Sequence, residues 1–423
     1  MILGLTILFF VLIFFGAPIA IAMGVSSITW LFLNPNLPSL VMAQKMFTAT
    51  DSFSLMAIPF FMLSGQLMER TGITEDIVVF ARSVVGHIRG GLAHTTVLSG
   101  MLMAGVSGSA NADASAIGSI MLPALRKNGY EDGFSVSVVA AAAGLGPIIP
   151  PSVIMIVYAS VAGIAVGPLF MSGVLPGIIL GCGYMLLSYF YARRTHMEPS
   201  KFAGFRNIGK AFLQAVWALI MPLIILGGLL SGVCTATEAG VIAVVYGLIY
   251  GLVRRKLTVA TIVDCLRQSV IATAGPMLII AVSSIFGYML SYENITTTIA
   301  DFCNANISSP FPFFMFVLLV CLIAGCFIDS SATLLMMTPI FLPVAIGLGI
   351  PSLQFACFFV IALLTAGLTP PVGMLLFIVS GINQTPLKKC VKSIWPFVGM
   401  MIIVLILMAL IPGITLAIPS LFG

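Results

Sequence analysis

The sequence predicts an all-α polytopic membrane protein with two inverted-topology repeats, and three observations carry that prediction. Of 423 residues, 60% are hydrophobic and 7% charged, against roughly 25% charged in soluble domains. Residues 1–44, 133–192, 330–387 and 393–423 contain no Asp, Glu, Lys or Arg, and a spanning helix needs only about 20 apolar residues to cross about 30 Å of hydrocarbon. Glycines and prolines recur at matched positions in the two halves. The apolar runs are continuous rather than alternating, which excludes a β-barrel. The net charge of +5 does not point to nucleic acid, because the basic residues form short clusters between apolar runs.

Taken in order, spans are expected near 3–33, 53–69, 135–160, 168–192, 207–226, 232–252, 269–291, 353–380 and 394–417. The first is read as a retained helix, since neither a basic region nor a small-residue cleavage site marks a signal peptide. Two further apolar segments, 92–122 and 311–347, begin and end at loops on one side. With the N-terminus in the cytoplasm, every Lys and Arg except Lys45 falls in an inside loop, as the positive-inside rule requires. The C-terminus is then periplasmic. This sidedness holds if 92–122 and 311–347 are re-entrant hairpins, entering from the cytoplasm and from outside respectively. Two full spans in each would leave it unchanged, so charge does not separate those readings. His87, His94 and His196 are expected to be solvated near inside loops. The eight cysteines (182, 234, 265, 303, 321, 326, 357 and 390) form no CxxC pair, so neither a disulfide framework nor a metal site is expected.

An internal repeat makes the hairpins credible. At an offset of 220, Gly105 meets Gly325, Ala112 meets Ala332, Pro123 meets Pro343, and Pro150-Pro151 meets Pro370-Pro371. Nearer the start of each half the offset drifts, so that Gly65 meets Gly287 and Gly16 meets Gly232. The expected organisation is a first repeat over 1–192, with its hairpin at 92–122 and a broken helix at 135–160. A loop and linking span follow over 193–231. The second repeat covers 232–423, with its hairpin at 311–347 and a broken helix at 353–380. The linking span is an odd crossing, so the second half enters inverted. Inverted repeats with interrupted helices are the usual pointer to a secondary transporter's midplane site.

The interruptions hold the candidate chemistry. The first hairpin tip runs from Val106 to Gly118 and offers oxygens on Ser107, Ser109, Asn111, Asp113 and Ser115. It is expected to face Gly144-Leu-Gly-Pro147…Pro150-Pro151-Ser152, where the prolines remove N–H donors and free carbonyls. The second tip, Phe327-Ile-Asp329-Ser330-Ser331-Ala-Thr333, faces Thr365-Ala-Gly367-Leu-Thr369-Pro-Pro-Val-Gly373. Carbonyl, hydroxyl and carboxylate oxygens suit a hard cation such as Na⁺, and helix N-termini near Asn111 and Ser331 favour an anion between them. Most single serines in such segments only pack. Asp113 and Asp329 differ, because a carboxylate inside a span is costly and functional by default. Glu238 lies outside the hairpins and reads as a structural hydrogen-bonding residue.

Ser107-Gly-Ser…Ala-Ile-Gly118…Pro123, the run from Ala324 through Asp329 to Pro343, and Thr369-Pro-Pro-Val-Gly-Met-Leu-Leu-Phe377 resemble the large membrane subunit of tripartite ATP-independent periplasmic (TRAP) transporters. The resemblance runs from Gly16-Ala-Pro-Ile-Ala20 to the last span. It implies sodium-driven uptake of a carboxylate (a C4-dicarboxylate, keto acid or sialic acid) across a bacterial inner membrane by an elevator mechanism. It also implies two partners, a small membrane subunit and a periplasmic substrate-binding protein. Since Met1 opens directly on the large subunit, the small one is expected as a separate chain. By the same resemblance, sodium ions would sit between each tip and its facing break. In the first half these are Ser107, Ser109, Asn111, Asp113, Gly144 and Pro147; in the second, Asp329, Ser330, Ser331, Gly367, Thr369 and Gly373. Substrate would meet Ser109, Asn111, Pro150, Ser152, Ser331 and Thr369. No other cofactor is implied, and no enzyme activity.

Three alternatives stand beside this reading. One is a self-sufficient sodium/divalent-anion symporter of similar architecture. An intramembrane aspartyl protease using Asp113 and Asp329 is another, although neither aspartate sits in a GxGD setting. An ion channel fits the broken-helix pairs less well than an alternating site. No GxxxxGK[ST] motif occurs, so energy would come from a gradient.

Overall fold

The computed structural model describes the chain except for Met1, Asn36, Thr296, Ile299, Ala300, residues 302–306, Ser308, Cys326, Phe327, Pro371, Val372, Phe422 and Gly423. Cys303, Cys326, Phe327, Pro371 and Val372, singled out above, therefore lie outside the described residues. Regular structure among the described residues is entirely helical. Among the described residues six helices are long and apolar enough to cross a membrane, and a bent pair adds a seventh crossing if it counts as one span.

The N-terminal segment corrects the expectation of a single span over 3–33. It forms α1 (Ile2–Phe14) and α2 (Ile19–Leu33), which pack against each other. Gly16 takes a left-handed φ of +83°, and Pro18 has no N–H to continue a helical ladder. The outer loop expected over 34–52 also contains a helix, α3 (Leu40–Thr50), bent by 61° from the next helix, α4 (Ala57–Arg70) with its leading turn. Beyond Gly72, at a φ of +79°, comes α5 (Ile73–Val85), an amphipathic helix where a connecting loop was expected.

The first hairpin is α6 (Gly91–Ser107) and α7 (Ala110–Lys127). Its arms are 17 and 18 residues long, about 26 Å each. The first broken helix is α8 (Asp132–Ala143) and α9 (Val153–Ala162), followed by the long α10 (Val166–Arg194) and α11 (Phe205–Leu230). The second half opens with α12 (Ala236–Val253) and the unbroken 34-residue α13 (Val259–Tyr292). Its hairpin is α14 (Pro310–Ala324) and α15 (Ser330–Gly347), and its broken helix is α16 (Ser352–Leu368) and α17 (Met374–Ile382). The chain closes with α18 (Leu387–Leu410) and the short α19 (Gly413–Leu416).

Two groups of helices position the site. In the first, α2, α3 and α4 each pack on α13, and α12 packs on α4, the tightest pair of all. Gly240 lets that pair close, since a Cβ there would lie 3.0 Å from Phe60 Cβ. At one end of the group Arg70 pairs with Asp264 at 2.6 Å, and Arg254 pairs with Asp76. In the second group α8 and α16 are buried on nearly all sides, as expected of helices apolar all round. Small residues permit this. A Cβ on Gly100 would lie 2.5 Å from Ala142 O, and one on Gly133 would lie 2.5 Å from Lys389 O.

The halves interleave. The arm α7 packs against α8 of its own half and α17 of the other, while α15 packs against α16 and against α9. This crossing brings both hairpin tips and both helix breaks to one place.

Candidate functional site

At the first tip, α6 ends in a Gly108 cap with φ +60°, and Ser109 is the extended N-cap of α7. Glycine is required there: a Cβ on Gly108 would lie 2.5 Å from Pro151 O, in a backbone region that L-residues rarely enter. The Ser107 hydroxyl donates to Asp113 Oδ1 at 2.5 Å, and the Ser109 N–H donates to Ser107 Oγ at 3.3 Å. Asp113 is fully buried, and its Oδ2 has no hydrogen-bond partner. That oxygen lies against the first break, where a Cβ on Gly146 would come within 2.4 Å of it. A buried carboxylate oxygen with no donor is costly, and either a bound cation or a proton would offset that cost.

The break itself is braced by Ser152, whose hydroxyl donates to Pro147 O at 2.6 Å and accepts from the Met155 N–H at 3.3 Å as the cap of α9. Gly144 caps the end of α8, and Pro150 is buried within the turn.

The second tip is built differently. Asp329 is the exposed N-cap of α15, and its Oδ1 accepts from the Ser331 N–H at 2.8 Å. The Ser330 hydroxyl donates to Leu363 O at 3.3 Å, joining the tip to α16. In the second break the Thr369 hydroxyl donates back to Thr365 O at 2.7 Å. Gly373 has a φ of +46° and starts α17.

A cavity of about 610 Å³ lies where these parts converge. Of the residues singled out in the sequence, Ser107, Ser109, Asn111, Pro147, Asp329, Ser330, Ser331 and Gly367 line it. Asp113, Gly144, Pro150, Ser152, Thr369 and Gly373 stand behind that wall, in the tips and breaks that form it. Sequence reasoning missed the opposite wall, which α4 and α13 supply. Met62, Gln66 and Glu69 lie along one stripe of α4, and Ala272, Pro276 and Ile279 along one stripe of α13, each at the i, i+4, i+7 spacing of a helix face. Glu69 adjoins Arg70 at a helix end and so reads as a loop charge. The i, i+4, i+7 spacing from Met62 was the available signal.

The histidines correct an expectation. His94 is buried, 4% exposed, with Nε2 3.2 Å from Arg89 O, and His87 is half-buried with its ring edge-on to Phe202. Only His196 is exposed. Glu238 completes a capping box with Thr235 at the start of α12.

Comparison with known proteins places the chain. Residues 6–414 match the family described as "Tripartite ATP-independent periplasmic transporter, DctM component". The "Sialic acid TRAP transporter large permease protein SiaM" of Vibrio cholerae serotype O1 is 34% identical over 412 residues, covering 97% of this chain and 96% of that one. The "C4-dicarboxylate TRAP transporter large permease protein DctM" of Pseudomonas aeruginosa is 37% identical over 383 residues, 90% of each chain. Among solved structures, the Alcanivorax borkumensis YdaH transporter, whose crystal structure is described as revealing an unusual topology, aligns with a TM-score of 0.65 at 14% identity. The alignment covers 88% of this chain and 87% of that one, a likeness of fold alone. Relatives named as transporter permeases leave no place for the protease reading. The chain belongs to the DctM component family, the large permease proteins of tripartite ATP-independent periplasmic transporters.

Proposed function

We propose that this permease imports a carboxylate of the C4-dicarboxylate, keto acid or sialic acid class, driven by sodium and supplied by a periplasmic binding protein. The observation that carries the reading is the single cavity on which two oxygen-rich tips and two helix breaks converge, with Asp113 Oδ2 buried and unpartnered behind it. Sodium ions bind between tip and break. In the first half they use Ser107, Ser109, Asn111, Asp113 and the freed carbonyls near Gly144 and Pro147; in the second, Asp329, Ser330, Ser331 and the backbone around Gly367, Thr369 and Gly373. No Lys, Arg or His is among the described residues lining the cavity. The substrate carboxylate therefore relies on bound cations and on the N-termini of α7 and α15. Substrate lies against Ser109, Asn111 and Ser331, with Pro150, Ser152 and Thr369 holding the breaks in shape.

The hairpins and broken helices move as one body against the group formed by α2, α3, α4, α12 and α13, with α5 as a connecting arm. The two halves act as inverted repeats in the bacterial inner membrane, with the N-terminus cytoplasmic and the C-terminus periplasmic. A small membrane subunit braces the static group. The names of the relatives support the three-part assembly, and one relative, an isethionate permease from Oleidesulfovibrio alaskensis, is named as a DctMQ protein.

The test is reconstitution in liposomes with a small membrane subunit and a periplasmic binding protein from the same organism. Saturable uptake is expected only with all three proteins and an inward sodium gradient. Robust uptake by this chain alone overturns the tripartite reading, and uptake indifferent to sodium overturns the coupling.

A further inference from the structure

A second cavity, of about 480 Å³, lies away from the tips between α5, the start of α6 and the segment joining α10 to α11. Arg82 of α5, His87 of the turn before α6 and Lys201 of the joining segment line it, and Glu198 is the one carboxylate on its wall among the described residues. Arg70, Arg126 and Arg254 are each paired with an aspartate, whereas no ion pair is formed by Arg82 or Lys201 among the described residues. The Nδ1 of His87 is shut off from solvent and has no partner, and its ring is fixed edge-on against Phe202 at 5.1 Å. The site thus has a net positive charge.

Its surroundings are apolar. Phe205 packs edge-on against Phe202 at 5.4 Å and is 84% exposed. Phe212, in contact with Phe80 of α5, and Leu213 are also exposed. A polar, cationic hollow beside exposed aromatic and aliphatic side chains matches a ligand with an anionic head and hydrocarbon tails.

We propose that this cavity binds the headgroup phosphate of an anionic phospholipid, with the acyl chains lying along Phe205, Phe212 and Leu213. Arg82 and Lys201 hold the phosphodiester, with His87 on the wall beside it. The cavity joins residues 79–92, 128–130 and 197–203, so the lipid ties α5 to the start of the hairpin and to the segment leading to α11. Basic residues at a membrane surface favour anionic lipid in this way. The proposal is independent of the substrate reading, since it concerns a different cavity and needs no transport measurement.

The test places the full chain in nanodiscs of phosphatidylcholine, with and without phosphatidylglycerol, and counts retained lipid by native mass spectrometry after release. Wild type is expected to retain phosphatidylglycerol over phosphatidylcholine. An R82Q/K201Q variant is expected to lose that preference by about tenfold or more, while R82K/K201R keeps it. A control, K388Q/K392Q, removes two exposed charges elsewhere and should leave retention unchanged. Equal loss in the control, or full retention in R82Q/K201Q, overturns the site. Displacement of the lipid by millimolar inorganic phosphate overturns the lipid as its occupant.

Discussion

The two hairpin tips occupy equivalent places in the chain yet handle their carboxylates in opposite ways. At the offset of 220, Ser109 corresponds to Asp329, and both are N-caps. Asp113 corresponds to Thr333, whose hydroxyl merely donates back to Asp329 O at 3.0 Å. The two aspartates are therefore not repeat mates. Asp329 is exposed and gives one oxygen to its own helix start. Asp113 lies one turn inside its helix, fully buried, with Oδ2 free. Burial makes a charge expensive and also makes its interaction with a cation strong. Under the proposed sodium reading, the first tip would hold the stronger cation-binding group, and the second would depend more on hydroxyl and backbone oxygens.

The largest expected effect separates the aspartates. Asp113→Asn removes a buried charge, and the sodium concentration giving half-maximal uptake should rise by about a hundredfold or more. Asp329→Asn keeps the cap, since Asn caps as well as Asp, and should raise it by about tenfold at most. Equal shifts in the two variants would erase the distinction between the tips.

A smaller effect is expected from the glycines beside them. Gly146→Ala drives a methyl to within 2.4 Å of Asp113 Oδ2, while a Cβ on Gly367 meets only Ser330 Oγ at 3.8 Å. Thermal unfolding with and without sodium should show sodium stabilisation lost in Gly146→Ala. Gly367→Ala should stay within about 0.5 kcal/mol of wild type. A sodium-responsive Gly146→Ala protein would mean that Asp113 does not face the break as a ligand.

The smallest concerns the serines. Ser107→Ala strips Asp113 of its donor and should cost about 1–3 kcal/mol of stability without sodium. Added sodium should restore part of that loss. Ser330→Ala removes a longer bond at 3.3 Å to Leu363 O and should cost about 1 kcal/mol or less, with no sodium recovery. Calorimetry in detergent reads both, and a sodium-independent loss at Ser107 would count against a cation at Asp113.

Much of this molecule was legible from residue order because the signals are local. Pro150, Pro151 and Gly108 interrupt helices through their own backbone chemistry, so the breaks and tips fall where the sequence puts them. The split at Gly16–Pro18 was equally local and was overlooked within a uniformly apolar run. Short segments between spans carry little hydropathy signal, so the helix α3 and the amphipathic α5 are not legible in the sequence. The lining of the cavity by Gln66 and Glu69 depends on where α4 comes to rest, which no residue within α4 states.

The sequence by itself determined that the chain is a helical membrane protein, where its hairpin tips and later helix breaks fall, and which oxygens those interruptions carry, since hydrophobic length and lost N–H donors act within a few residues. Only the tertiary structure decided that α7 packs on α17 and α15 on α9, that both tips share one cavity with α4 and α13, and that Asp113 is sealed while Asp329 is open. Burial of a carboxylate is set by residues far apart in the chain: Gly146 leaves room for Asp113 Oδ2, as an L-side chain there would not. That contact exists only when hairpin and break are packed together.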